Sequence, residues 1–172
     1  MDIKPLKILG IDPGTARLGY ALIDFHQATQ AVQLKACGVI STHKDYSDAL
    51  RLKEIREDLE KIINEYKPDI LSVEKIFFFK NLKTVISVAQ ARGVILEIGA
   101  SSGMQIHEYT PLEMKKIITG SGTASKDEVA DYVHRYLKLE KKITPDDAVD
   151  AVGLAICFVR NDASLLRVQS RA

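Results

Sequence analysis

The 172-residue chain contains only two cysteines, Cys37 and Cys157, and no Cys-x-x-Cys pair. Cys37 falls in an apolar strand pattern and Cys157 in an apolar helix pattern, so both read as buried thiols in a reducing cytoplasm, with no disulfide framework. No His/Cys cluster offers a zinc site. No apolar run approaches the ~20 residues that a bilayer span requires, and the opening residues, with Asp2 and Lys4, lack a secretory apolar core. A soluble cytoplasmic protein with no membrane contact is therefore expected. A basic excess is missing too: 24 Lys and Arg against 23 Asp and Glu leave a net charge of +1. Nucleic-acid binders usually show a clear positive surplus, but a site that concentrates carboxylates would hide a basic rim from the total. Repeats, low-complexity tracts and linkers are also absent. At 46% apolar content the chain fits one domain, residues 1–160, that buries roughly two-thirds of its unfolded surface. The pattern stops beyond Asn161, and 161–172 reads as a flexible tail.

What is present begins with Ile8-Leu9-Gly10-Ile11-Asp12-Pro13-Gly14-Thr15. Its alternation reads as a strand, and Pro13-Gly14 forbids the strand's extension, so Asp12 projects at its end. Strands are expected over 6–12, 18–24 and 32–40, joined by short polar turns as an antiparallel meander. Leu52, Ile55, Leu59, Ile62 and Ile63 recur at helical spacing within 47–65, and Lys67-Pro68 ends that helix. The segment 69–74 reads as a short buried strand, parallel to an earlier one across the helical crossover, and it too finishes on a carboxylate, Glu74. A helix over 81–100 is apolar around too much of its circumference for one face; it is either central or packed on another subunit. A fifth strand covers 105–109. Thr110-Pro111-Leu112-Glu113 and Ser125-Lys126-Asp127-Glu128 are capping boxes, and the first carries proline at the opening position. The last helix runs from Thr144-Pro145-Asp146-Asp147 to about Val159. The expected fold class is α/β, a five-stranded mixed sheet flanked by helices.

Asp12 and Glu74 close strands that such a sheet makes neighbours, and Asp147 and Asp150 share one face of the last helix amid small apolar residues. Several carboxylates brought together there need protons or a cation, and oxygen-only ligands suit Mg²⁺ or Mn²⁺. Plainer roles compete at each position. Asp12 could hydrogen-bond its turn, Glu74 could be a surface residue, and Asp147 could be the capping-box acid after Thr144. Asp146 and Asp150 also share a face at four-residue spacing, so spacing alone leaves Asp146 and Asp147 as alternatives.

Four motifs then occur in an order that resembles the RuvC family of crossover junction endodeoxyribonucleases. They are Gly10-Ile11-Asp12-Pro13-Gly14, Val73-Glu74-Lys75-Ile76-Phe77 with Lys80-Asn81, Gln90-Ala91-Arg92-Gly93, and Asp147-Ala148-Val149-Asp150-Ala151. The resemblance covers about residues 6–160 and implies a ribonuclease H-like fold. It implies that Asp12, Glu74, Asp147 and Asp150 are the catalytic and metal-binding carboxylates, which leaves Asp146 as a cap. It further implies Mg²⁺, two ions per subunit with Mn²⁺ able to substitute, and symmetric cleavage of Holliday junctions in recombination and repair. The expected ends are a 5′-phosphate and a 3′-hydroxyl. Phe77 stands where the family places an aromatic near unpaired bases, in a Phe77-Phe78-Phe79 run of which at least one ring should be buried. Lys80, Lys115 and Lys126 are the further expected DNA contacts. With Lys75, Lys83, Arg92 and Lys116 these lysines could line a positive groove. The implied partners are four-way junction DNA, a second copy of the chain and the RuvA/RuvB branch-migration complex.

Two other readings compete. Gly-Ile-Asp-x-Gly-Thr also resembles the first phosphate loop of actin-like ATPases and sugar kinases, which close two related domains over a nucleotide; 172 residues hold only one. A junction-binding protein without catalysis is the non-enzymatic alternative, and the four filled carboxylate positions argue against it.

Overall fold

The computed structural model describes residues 4–75 and 82–161, except for the side chains of 82–84. The expectations for Phe77, Lys80, Lys83 and the tail beyond Asn161 therefore lie outside the described residues. Five strands, β1 (Leu6–Asp12), β2 (Arg17–His26), β3 (Ala31–Ser41), β4 (Ile70–Glu74) and β5 (Gln105–Tyr109), form one mixed sheet in the order β3-β2-β1-β4-β5. β1 to β3 are an antiparallel meander, and β4 and β5 continue parallel to β1. This is the ribonuclease H-like arrangement expected from the sequence.

β1 has the expected bounds, whereas β2 and β3 run one or two residues past their apolar pattern. Ladder pairing continues to Arg17↔Ser41 at one end and His26↔Ala31 at the other, because the backbone groups bond whichever side chains they carry. A register shift between Leu22 and Ile23 re-phases the long β2–β3 pair.

Alternation divides the apolar residues between two faces. Leu9, Ile11, Leu71 and Val73 point toward α1 (Asp48–Tyr66) and α2 (Leu82–Ser101), meeting Ile55, Leu59, Ala91 and Ile95. Ile8, Ala21, Ile23 and Ile70 point toward α5 (Asp146–Asn161), which α3 (Pro111–Thr119) and α4 (Lys126–Tyr136) cover from outside. α5 is thus the central helix, buried continuously from Ala151 to Phe158. Ser72, facing this layer, is fully buried, and its hydroxyl donates to the Leu154 carbonyl at 2.6 Å. That bond meets the requirement that a buried polar group be paired.

The helix boundaries have local causes. Ser47 caps α1, and Lys67 ends it in the left-handed conformation before Pro68. Both expected capping boxes are complete: Thr110 with Glu113 opens α3 behind Pro111, and Ser125 with Glu128 opens α4. α2 buries Ala91, Ile95 and Ile98 against the sheet but leaves Ile86 69% exposed. A side chain added at Gly93 would touch nothing within 4 Å. Among the described residues, nothing covers this side of the helix near Ile86 and Gly93.

Candidate active site

The ladder registers bring the acids together. Parallel pairing sets Gly10 beside Ser72 and Ile11 beside Val73, so Asp12 and Glu74 leave adjacent strands at the same end. Both continue the alternation of Ile8-Gly10 and Ile70-Ser72, so both face α5. On the other side, Asp12 pairs with Gly19 of β2. Here α5 lies against bare backbone: a Cβ on Gly19 would stand 2.0 Å from the Asp147 carbonyl oxygen, and one on Gly10 would stand 2.1 Å from that of Ala151. Two glycines two residues apart in space thus seat successive turns of α5 on the sheet, with its first turn beside Asp12.

Asp147 and Asp150 consequently join the strand-end acids. Their side chains are 34% and 21% exposed, whereas that of Asp146 is 78% exposed. Asp146 opens α5 and lies outside the cluster, which separates it from Asp147 where spacing could not.

The electrostatics follow from this crowding. Asp12 is pushed up to about 8, first by burial and then by the charges of Glu74, Asp150 and Asp147, with Lys126 acting in the opposite direction. Glu74 is pushed up to about 7 by burial and Asp150, again against Lys126. Burial also raises Asp150. Among the described residues the Asp12 carboxylate takes no hydrogen bond from its own turn, so a turn-forming role does not account for it. Asp12 and Glu74, raised by burial and by their neighbouring acids, suit a hard cation, and the all-oxygen donors of the four acids match Mg²⁺ or Mn²⁺ chemistry. Among the described residues, however, no three acidic, His or Cys side chains already converge on one point at ligand distance. Two side-chain cations pair with the α5 acids: Arg17 Nη2 lies 2.8 Å from Asp147, and Lys126 Nζ lies 3.7 Å from both Asp146 and Asp150.

Of the expected DNA contacts, Lys126 stands at the first turn of α4 beside the acids, and its charged form is favoured chiefly by Asp150. Lys115, half-buried on α3, acts on Glu128 and not on the acidic cluster. Arg92 departs from the groove reading. Its guanidinium turns inward, pairs with Glu108 of β5 and donates from Nε to the Glu74 carbonyl at 3.2 Å. It braces the end of β4, with two of its donors committed to Glu108 and the Glu74 carbonyl. Arg17 was absent from the sequence reading, although its signal existed: it lies two residues before Gly19 and so shares the face that carries α5.

The family model described as crossover junction endodeoxyribonuclease RuvC matches residues 8–158. The chain belongs to the RuvC family. A curated RuvC of Fusobacterium nucleatum is 42% identical over 161 residues, spanning 94% of this chain and 84% of that protein. One from Prochlorococcus marinus strain MIT 9211 is 49% identical over 149 residues, spanning 87% and 92%. Both carry the name crossover junction endodeoxyribonuclease RuvC. Among solved structures, Thermus thermophilus RuvC in complex with a Holliday junction substrate superposes with a TM-score of 0.84 at 25% identity, covering 96% of this chain and 97% of that one. The yeast mitochondrial resolvase Ydc2, at 12% identity and a TM-score of 0.68, shares the fold with this RuvC-family chain.

Proposed function

We propose that Asp12, Glu74, Asp147 and Asp150 carry the phosphodiester hydrolysis by which this RuvC-family chain resolves four-way DNA junctions. The observation that supports this most strongly is that β1, β4 and α5 bring four acids to one end of the sheet, where burial and the neighbouring acids push Asp12 up to about 8. A divalent cation bound there would neutralise charge on the phosphate and make water a stronger acid. The donor set suits Mg²⁺, two ions per subunit, with Mn²⁺ as a substitute. Asp12 stands between the β4 and α5 acids and would be the shared ligand, with Glu74 on one side and Asp147 and Asp150 on the other. Water attacks phosphorus in line and the P–O3′ bond breaks, leaving a 5′-phosphate and a 3′-hydroxyl. Lys126, and Lys115 farther along α3, would hold flanking phosphates, Phe77 would lie near the unpaired bases, and Lys80 would be a further DNA contact.

A junction offers two equivalent strands, which suits two sites related by a two-fold axis. Among the described residues Ile86 on α2 is 69% exposed, and that side of the helix would be the surface through which two copies pair. Ile86→Glu should then shift sedimentation toward monomer. Hand-over from RuvA/RuvB is part of the same reading, as is a cytoplasmic location, with which the two free thiols Cys37 and Cys157 agree. No helix among the described residues is long and apolar enough to cross a membrane.

The deciding experiment is cleavage of a synthetic four-way junction in Mg²⁺ by wild type and Asp12→Asn. Wild type should cut both strands symmetrically, and the variant should bind without cutting. Binding with no cleavage by wild type would support the non-catalytic reading, and an equally active Asp12→Asn would remove Asp12 from the site.

A further inference from the structure

We propose that Arg17 is a phosphate contact for the DNA strand at the cleavage site, held in place by Asp147 until that strand arrives. Arg17 Nη2 lies 2.8 Å from the Asp147 carboxylate while half of its side chain is exposed. Its place follows from the ladder. Arg17, Gly19 and Ala21 alternate onto the face that carries α5, and Gly19 pairs with Asp12, so Arg17 stands one alternation beyond the acid and reaches the first turn of α5.

Its main chain is fixed on both sides. The turn after Asp12 closes on Gly14, where a Cβ would stand 2.0 Å from the Arg17 carbonyl oxygen. The Thr42 backbone N–H donates to the Ala16 carbonyl at 3.1 Å, and the Thr42 hydroxyl donates to the Thr15 carbonyl at 2.7 Å. The motif that delivers Asp12 therefore delivers Arg17 as well. A guanidinium presents five N–H donors in a planar fork, and one contact to a carboxylate leaves donors for a phosphate, which it can grip with two bonds.

The pairing with Asp147 is suited to exchange. A half-exposed ion pair is weak, so replacing one oxyanion with another costs little. A divalent cation held by Asp147 would compete with Arg17 for that carboxylate, which would leave the guanidinium free to contact a phosphate. Lys126, 3.7 Å from Asp150, flanks the acids from α4, so a positive side chain borders the cluster from both the sheet and the outer helix layer.

The inference rests on the nuclease reading of the four carboxylates. Wild type, Arg17→Ala and Arg17→Lys are compared for binding to a synthetic four-way junction in Ca²⁺ across a salt series. Mn²⁺ binding is measured by calorimetry without DNA, and cleavage is measured in Mg²⁺. Arg17→Ala should bind the junction about tenfold more weakly, and its log–log salt slope should fall by about one. Its Mn²⁺ affinity should match or exceed that of wild type, because a competitor for Asp147 is gone. Arg17→Lys should restore the slope but not the full affinity. Wild-type junction affinity and slope in Arg17→Ala overturn the proposal. Weaker Mn²⁺ binding with an unchanged slope also overturns it, since Arg17 would then only orient Asp147. A wild type that never cuts overturns the nuclease reading, whereas a slope unaffected by Arg17→Ala with cleavage intact overturns this inference alone.

Discussion

The main chain of Asp147 rests on Gly19 so closely that a Cβ there would stand 2.0 Å from the Asp147 carbonyl oxygen. The clash would be with backbone, which cannot rotate away, so Gly19→Ala must lift the first turn of α5 or bend β2. Overpacking of this kind costs about 1–3 kcal/mol, and a displacement of about 1 Å at reacting groups can lower a rate roughly 100-fold. Denaturant melts should show the stability loss, and junction cleavage should fall much further than junction binding. Wild-type turnover in Gly19→Ala would mean that the seat does not set the site's geometry.

That seat marks the limit of what the sequence disclosed. Strand-end acids are legible because Pro13-Gly14 and the apolar alternation are local signals, and capping boxes are legible because the hydroxyl and the acid lie three residues apart. Gly10 and Gly19 carry no such mark. Their function is to be bare where Ala151 and Asp147 pass, a relation across more than a hundred residues that only β1–β2 pairing and α5 packing create. The same holds for Arg92, whose sequence position suits a groove but whose guanidinium pairs with Glu108 of β5. Charge is visible in a sequence; the direction a side chain takes depends on which strands become adjacent.

Arg92 and Glu108 are 20% and 30% exposed, and Arg92 also holds the Glu74 carbonyl. Arg92→Leu strands a largely buried carboxylate; losing one partner of a fully buried pair costs about 3–5 kcal/mol, an upper bound for a pair that keeps this much solvent contact. Adding Glu108→Leu should recover most of that, because two apolar side chains can replace a buried pair. Urea denaturation of both single variants and the double checks this. A double variant as unstable as Arg92→Leu would assign the loss to the Glu74 carbonyl contact.

Ser125 accepts from the Glu128 N–H at 3.2 Å, while the Glu128 carboxylate accepts from the Ser125 N–H at 2.7 Å. Ser125→Ala removes the first bond and should cost about 1 kcal/mol, lowering Tm by roughly 2–4 °C in a chain of this size. Lys126 occupies the next position, so loosening this turn should also weaken junction binding, while Ser125→Thr should keep both properties near wild type. An unchanged Tm in Ser125→Ala would show that the cap contributes nothing to folding.

Asp12, pushed up to about 8, and Glu74, pushed up to about 7, hold protons in the folded chain that the unfolded chain releases above about pH 4. The folded state therefore binds more protons, and its stability falls as pH rises from about 4 to about 8, by at most about 1.4 kcal/mol per pH unit for each group. The contribution is complete below that window and lost above it. Denaturation midpoints in EDTA should drop across the range, and Asp12→Asn should flatten the drop. Divalent cations compete with those protons for the same oxygens, so Mg²⁺ should stabilise the chain more at about pH 8 than at about pH 5. For the same reason, the Mg²⁺ concentration for half-maximal cleavage should fall as pH rises. A Mg²⁺ requirement that stays constant from about pH 6 to about pH 8.5 would separate cation binding from the protonation of Asp12 and Glu74.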